Sequence, residues 1–455
     1  MRGPGEILLV STYELGHQPS GIAVPKAFLE RAGFRPAAMD LAVEPFDERR
    51  VRAARLIALS VPMHTALRLA LRAVERVRAV NPTARLAFHG IYAPLHEPLL
   101  LSTGAIAVLG GECEEDLVEL ASRLARADRS GGDPGPSAHV SVARLDYPVP
   151  SRAGLPSPER YARLVADGDE RLAGHAEATR GCKHACRHCP IPVLYGGRFF
   201  AVPAAVVLED VAQQVAAGVG HVTFGDPDFL NGPRHALRVA SALHERFPHL
   251  TFDFTAKIEH LVRHAGLLPA LRVAGAIFVV SAVESLSDTV LARLDKGHRR
   301  DDVFRASAAC REAGLALRPS LVPFTPWSTL EDYLELVETF SRDEWLDLLD
   351  PVQLSIRLLV PPRSLLLEDP SLVTEGLDAA ALTHVWRHPD PRMDNLQRRV
   401  SRLVEAAAQA KEPPRTTLAR IRSTALAAAG RPHEHVATGA DTGRRAPRLT
   451  ESWFC

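Results

Sequence analysis

The chain has 455 residues, enough for two or three domains with substantial cores. Lys and Arg number 54 and Asp and Glu number 54, and this zero net charge gives no electrostatic case for nucleic acid or an anionic membrane as partner. No stretch approaches the ~20 apolar residues that span a bilayer, and the apolar run near the start is too short for a signal peptide, so a cytoplasmic protein is expected.

Residues 6–12 (EILLVST) are a short apolar run, as expected of a buried parallel strand. A polar loop from Tyr13 to Ser20 follows, then apolar residues at helical spacing from Gly21 to Ala32, stopped by Gly33. Further strands are predicted at Pro36 to Leu41, Leu56 to Val61, Ala84 to His89 and Ala105 to Leu109, with a helix over Ala66 to Val80. Strands alternating with helices across residues 1–126 predict a Rossmann- or flavodoxin-like doubly wound α/β domain. Its ligands would sit beyond the carboxyl ends of the strands. Gly110-Gly111 opens the last strand-to-helix turn, where glycines permit close approach of backbone to a ligand. Residues 127–158 are rich in Pro, Gly and Ser and read as a linker with little regular structure.

A second domain is predicted over residues 159–365. His175 to Thr179 should be its first strand, ending in Gly181-Cys182-Lys183-His184-Ala185-Cys186-Arg187-His188-Cys189-Pro190. Three of the six cysteines fall in this loop, spaced C-x3-C-x2-C. Thiolates on so short a loop can converge on one soft metal centre. They are one short of a closed zinc site and one short of the four that saturate a cubane cluster, which leaves a metal corner vacant. The competing readings are a zinc knuckle completed by His184 or His188, and a disulfide between Cys182 and Cys186.

The C-x3-C-x2-C loop resembles that of the radical S-adenosylmethionine (SAM) enzymes, although His188 stands where that family usually has an aromatic residue. The resemblance implies that Cys182, Cys186 and Cys189 hold a [4Fe–4S] cluster whose free iron chelates SAM, and that one electron cleaves SAM to a 5′-deoxyadenosyl radical. It also implies an incomplete (β/α)6 TIM-type barrel, with strands at His221 to Phe224, Thr251 to Ala256, Ala276 to Ser281, Ala316 to Pro323 and Val352 to Val360. Active sites of such barrels lie at the carboxyl ends of the strands. Gly225-Asp226-Pro227-Asp228-Phe229 stands where the family binds the SAM amino group, which points to Asp226 or Asp228; good turn chemistry is the bland alternative. Val283-Glu284-Ser285 through Lys296-Gly297 resembles the strand-four signature, with Ala282 in place of its glycine, and implies that Glu284 and Ser285 contact SAM. Ser285 can equally be a helix N-cap and Lys296-Gly297 a helix end. Arg318 is a weaker candidate for the SAM carboxylate.

The first domain resembles the cobalamin-binding domain that precedes many such barrels, but it lacks the D-x-H-x-x-G motif. The matching loop reads Tyr13 to Gln18, with His17 the only histidine in it. The resemblance therefore leaves two readings, cobalamin bound without that ligand or cobalamin lost. Residues 366–455 should be a helical C-terminal region, with helices over 378–411 broken at His388 to Pro391 and a mobile tail after one short helix. The ending Trp453-Phe454-Cys455 is similar to the tail of cobalamin-domain radical SAM proteins that end in Cys-Cys-Ala-Glu-Pro or Cys-selenocysteine-Ala-Glu-Pro. That implies a redox tail at Cys455 and a selenocysteine codon after it, with a plain terminal thiol as the alternative. The expected protein is an enzyme that cleaves SAM at a [4Fe–4S] cluster and passes the radical to a substrate, by methyl transfer if cobalamin binds and by rearrangement or cyclisation otherwise. Its expected partners are that substrate and an electron donor such as flavodoxin or ferredoxin, with no nucleic acid and no membrane. The alternative from another class is a zinc- or cluster-bearing scaffold without turnover.

Overall fold

The computed structural model describes residues 1–130, 135–432 and 446–451. Six parallel strands form the first sheet: β1 (Ile7–Ser11), β2 (Ala37–Asp40), β3 (Leu56–Ser60), β4 (Arg85–His89), β5 (Ala105–Gly111) and β6 (Ser137–Ser141). Their order is β2-β1-β3-β4-β5-β6, so the chain reverses direction of winding between β1 and β3. That switch point opens a crevice at the carboxyl ends of the strands. Leu8 and Val10 enter one apolar layer and Ile7 and Leu9 the other, so β1 is buried on both faces and reads as one unbroken apolar run. The sheet has one strand more than the sequence predicts. The helix Glu114–Ser130 runs past residue 126, and Ser137–Ser141 within the predicted linker pairs with β5, so regular structure reaches residue 141.

The helix Ser20–Arg31 is buried along nearly its whole length, and Val24 and Phe28 belong to the core of the second domain rather than the first. A helix apolar all round is one covered on all sides, here by two domains. Residues 142–157 carry no regular element and run between the domains. Arg152 on this strap is buried. It donates through Nε and Nη2 to Asp210 at 2.6 and 2.8 Å, through Nη1 to Gln18 Oε1 at 2.8 Å and through Nη2 to the His175 carbonyl at 2.6 Å.

The second sheet contains β7 (Arg163–Ala166) and β8 (Asp169–Ala176), then β11 (His221–Phe224), β12 (Thr251–Thr255), β13 (Ala276–Glu284) and β14 (Ala316–Leu321), after a separate ribbon of β9 (Thr179–Gly181) and β10 (Phe199–Ala201). β8, β11, β12, β13 and β14 are parallel, and β7 runs antiparallel beside β8, giving a partial barrel. Phe224, Phe229, Phe252 and Phe254 pack on one another in the core shared with Val207, Val211, Val239 and Ala240 of the covering helices. Two expectations are corrected. The first barrel strand ends at Ala176, and Thr179–Gly181 leaves the barrel to form the ribbon with β10. The sixth strand is reduced to one bridge between Phe324 and Arg357, because Pro351–Ser355 turns as a 3₁₀ helix capped by Asp350.

The C-terminal region is only partly helical. Hairpin strands β15 (Thr374–Asp378) and β16 (Thr383–Trp386) precede the helices Pro391–Gln409 and Pro414–Ala428, which pack on the barrel core through Met393, Val400 and Ile421. β17 (Arg448–Leu449) then pairs with β7, and Tyr13 Oη donates to Glu451 at 2.9 Å. The predicted tail thus returns to the barrel edge; Cys455 lies outside the described residues. Among the described residues no helix is long and apolar enough to cross a membrane.

Candidate active site

The ribbon is what presents the three cysteines. Gly181 pairs with Phe199 and Thr179 with Ala201, so the ladder clamps both ends of the segment that holds Cys182 to Cys189. Gly181 has φ +74°, and a Cβ there would stand 2.5 Å from the Arg198 carbonyl oxygen, so the residue beside the first cysteine must be glycine. Asp226 fixes the other side of the ribbon: its carboxylate accepts from the Ala178 N–H at 2.9 Å and from Thr179 Oγ1 at 2.6 Å. Burial pushes that carboxyl up to about 7 despite these donors. Inside the loop the Cys189 N–H donates to the Cys186 carbonyl at 3.2 Å, and the Arg187 N–H reaches the Leu294 carbonyl at 3.0 Å.

All three thiols are reduced; Cys182 and Cys186 are buried and Cys189 is half-buried. They are close enough to act on one another. Burial first, and then the neighbouring Cys186 and Cys182, push the Cys189 thiol up to about 12. Burial also pushes the Cys182 thiol up, and a cationic metal centre, which binds thiolates, removes that penalty for a convergent trio of sulfurs. The residues present therefore fit an iron–sulfur cluster with one iron left free. The zinc-knuckle reading needs a histidine for the fourth corner, but both loop histidines have other partners. His188 Nε2 is 3.2 Å from Glu284 Oε1, and His184 Nε2 is 3.3 Å from His260 Nε2.

Glu284 ends β13 at φ +62°, a left-handed conformation that a non-glycine residue adopts at a cost. Lys296 Nζ donates to its Oε1 at 3.0 Å, with both side chains buried. Lys296 and then His188 hold the Glu284 carboxyl well below the usual carboxylate range against the opposing effect of burial. Lys296 is thus an interior partner of Glu284, and the predicted helix end falls earlier, at Leu294. Ser285 is buried but is not the helix N-cap; its Oγ accepts from the Ser287 N–H at 3.1 Å, and the helix Asp288–Arg293 starts after Ser287. Asp228 is fully buried with Oδ1 accepting from the Leu230 N–H at 3.0 Å. The structure does not bring Arg318 to this centre. Glu284 pairs with Leu321 and Val280 with Arg318, which places Arg318 three residues, about 10 Å, below the strand end. There it lines a separate cavity with Leu449 and Glu451, and Nη1 donates to the Pro447 carbonyl.

A cleft of about 700 Å³, counting its open mouth, lies between the domains. One wall is the switch-point end of the first sheet: Glu14 and Gly21 after β1, Ser60, His89 and Gly90, and Gly111, Cys113 and Glu114. The other wall comes from the barrel: Glu177, Arg180, Gly181, Gly225 and Pro227. Arg180 is buried among acids, 2.5 Å from Glu114, 2.9 Å from Glu177 and 3.8 Å from Glu112. Glu114 Oε2 and His89 Nε2 are buried here without hydrogen-bond partners. Orphaned polar atoms beside a cleft of this size suit a ligand rich in amide donors and acceptors, as the periphery of a corrin is. His17 is not on this wall; it is buried and stacked on His175 at 4.9 Å. The glycines of the last turn also answer to packing. A Cβ on Gly110 would meet Pro94 at 2.3 Å, and one on Gly111 the Ser141 carbonyl oxygen at 2.1 Å.

The sequence reading missed Lys296 and Arg180 as site residues and weighed His188 only as a zinc ligand. Lys296 had a local signal, a lysine beside a glycine, and it read as a helix end.

Residues 177–337 match the model of the Radical SAM superfamily, so this part of the chain is a radical SAM domain, the catalytic domain of an enzyme class. The fold as a whole is similar to those of two solved cobalamin-dependent enzymes. The chain is similar to the radical SAM methyltransferase TsrM from Kitasatospora setae, solved with cobalamin and a [4Fe–4S] cluster bound, at 19% identity and TM-score 0.55, covering 74% of this chain and 70% of that one. It is also similar to the cobalamin-dependent SAM radical enzyme OxsB, solved with aqua-cobalamin and SAM bound, at 15% identity and TM-score 0.67, covering 88% of this chain and 67% of that one.

Proposed function

We propose that this protein is a cobalamin-dependent radical SAM enzyme that transfers a methyl group to an organic substrate. The observation that carries the proposal is the interdomain cleft, which joins the switch point of the first sheet to the strand that bears the cysteine loop. Cys182, Cys186 and Cys189 would hold the [4Fe–4S] cluster, Glu284 and Ser285 would position SAM, and the cleft would hold cobalamin. When bound, these groups supply an electron for reductive cleavage of SAM and a carrier for the methyl group. The protein supplies placement and dryness. Lys296 and His188 keep Glu284 ionised, so it presents a fixed acceptor beside the cluster loop. Asp226 locks the base of the loop, and the Arg152 strap locks one domain onto the other, which preserves the spacing between the two cofactor sites. The partial barrel leaves its side open for a substrate. A one-electron donor such as flavodoxin or ferredoxin completes the set.

Anaerobic reconstitution with iron, sulfide and hydroxocobalamin tests this. The expected protein is brown, retains one corrin through desalting, and forms S-adenosylhomocysteine or 5′-deoxyadenosine from SAM under reduction. Replacing Cys182, Cys186 and Cys189 with serine should abolish the iron and both products. A protein that takes up cluster but no corrin overturns the cobalamin half of the proposal, and turnover in the serine variant overturns all of it.

A further inference from the structure

We infer that His184, Asp228 and His260 form a second metal site, separate from the cysteine trio, for a single divalent first-row transition ion. The three residues come from three segments: the cysteine loop, the turn after β11, and the helix Ile258–Arg263 after β12. Each offers one ligand atom within 4.8 Å of the others. Asp228 Oδ2 lies 2.7 Å from His260 Nδ1 and 3.7 Å from His184 Nε2, and the two Nε2 atoms are 3.3 Å apart. Metal bonds of ~2.0–2.2 Å place tetrahedral ligand atoms about 3.3–3.6 Å from one another. The Asp228–His184 separation of 3.7 Å is close to that spacing; the 2.7 and 3.3 Å separations involve different nitrogens of His260, of which Nδ1, beside Asp228 Oδ2, would be the ligand.

The independent observation is what these atoms lack. Asp228 is fully buried and His260 nearly so, yet Asp228 Oδ2 and His260 Nδ1 make no hydrogen bond, although only 2.7 Å separates them. The N–H direction misses the oxygen. A buried carboxylate oxygen and a buried imidazole nitrogen left unpaired each cost about 1–3 kcal/mol, so such a pair needs an occupant. A cation between them satisfies the oxygen and the nitrogen together and gives His184 a reason to leave the cysteine side of the loop.

The surroundings suit a cation. Asp228 and Glu259 bring two negative charges, and Lys257 and Arg263, both paired with Glu259, bring two positive, so the four sum to zero and Asp228 supplies the negative charge nearest the site. Glu259 Oε2 stands 3.6 Å from His184 Nδ1, where an outer carboxylate orients a ligating histidine. Two imidazoles and a carboxylate suit Zn²⁺, Fe²⁺, Co²⁺ or Mn²⁺ rather than Ca²⁺. Three protein ligands leave a coordination position open, and the ion would tie the cysteine loop to the ends of β11 and β12.

The test uses the full chain with Cys182, Cys186 and Cys189 changed to alanine, so that no thiolate of that loop is present, titrated anaerobically with Co²⁺ alone. The inference expects one equivalent per chain, with visible d–d bands and no sulfur-to-cobalt charge-transfer band. H184A or H260A in that background should weaken uptake by at least about 100-fold, above the 10–100-fold that outer partners are worth. No stoichiometric uptake, or uptake unchanged by both substitutions, overturns it. A parallel measurement keeps the cysteines, and it decides if the alanine variant does not fold. Elemental analysis of the reconstituted wild type loaded with Zn²⁺ should show one zinc beside the iron, and H260A should lose the zinc while keeping iron and sulfide. Zinc retained in H260A, or absent from the wild type, refutes the site.

Discussion

Replacing Lys296 with methionine should be among the most damaging single changes outside the cysteine loop. Lys296 Nζ is 3.0 Å from Glu284 Oε1, and the two side chains are 3% and 7% exposed. Methionine fills the space of the lysine stem but leaves a buried carboxylate whose remaining partner is His188. Breaking a buried pair in this way costs about 3–5 kcal/mol, because the stranded charge has lost its solvent as well as its partner. At ~2–4 °C per kcal/mol for a domain of this size, Tm should fall by roughly 6–20 °C. Removing both charges is a smaller perturbation, so E284Q/K296M should recover at least about 2 kcal/mol relative to the sum of the single variants. Scanning calorimetry of the cluster-free protein under reducing conditions, on the wild type and all three variants, measures the cycle. A K296M loss below about 3 °C, or strict additivity in the double variant, refutes the assignment of this pair as the anchor between β13 and the cysteine loop.

Glu14 gives a pH-dependent prediction. Burial, with Glu177 adding to it, pushes its carboxyl up from 4.5 to about 8, while the Ser20 and Gly21 N–H groups donate to it. A group raised on folding contributes stability that is present below pH 4.5 and is lost as pH rises through about 8. The wild type should therefore lose Tm relative to Glu14→Gln between pH 5 and pH 9; parallel curves would refute the shift. Gly111→Ala places a Cβ 2.1 Å from the Ser141 carbonyl oxygen at φ +68°. It should cost more than the ~1–2 kcal/mol of left-handed strain alone, whereas Gly154→Ala, at φ +78° with nothing within 4 Å, should cost only that strain; equal urea midpoints for the two would count against the β5–β6 contact. Arg180→Met strands Glu114 and Glu177 and should lower stability by about 3–5 kcal/mol and strip cobalamin from the protein on desalting, as read from the corrin absorbance. Retention of the corrin would place the cofactor elsewhere.

Local pattern made most of the elements legible. β11 was predicted to the residue, because Val222, Thr223 and Phe224, with His221 before them, are bounded by Gly220 and Gly225 and leave little choice of register. The cysteine loop was legible because its chemistry depends on spacing along the chain. The ribbon that carries it was not, since β9 is three residues long and pairs with a segment beyond the loop. The sixth barrel strand was predicted from an apolar run that a capped 3₁₀ turn overrode. The C-terminal hairpin lay where helices were expected, since β15 and β16 are short and partly exposed.

What the sequence determined by itself was the doubly wound domain and three thiols one ligand short of a closed site, which follow from periodicity and spacing acting over a few residues. The partial barrel came with the family that the cysteine loop resembles. Tertiary structure alone decided that Lys296 and His188 serve Glu284, that Arg180 lies among three acids in an interdomain cleft, that Arg318 belongs to a different cavity, and that His184, Asp228 and His260 meet. The physical reason is common to all of them. A buried charge or metal ligand is defined by the partner that compensates it, and here those partners come from segments up to 96 residues apart.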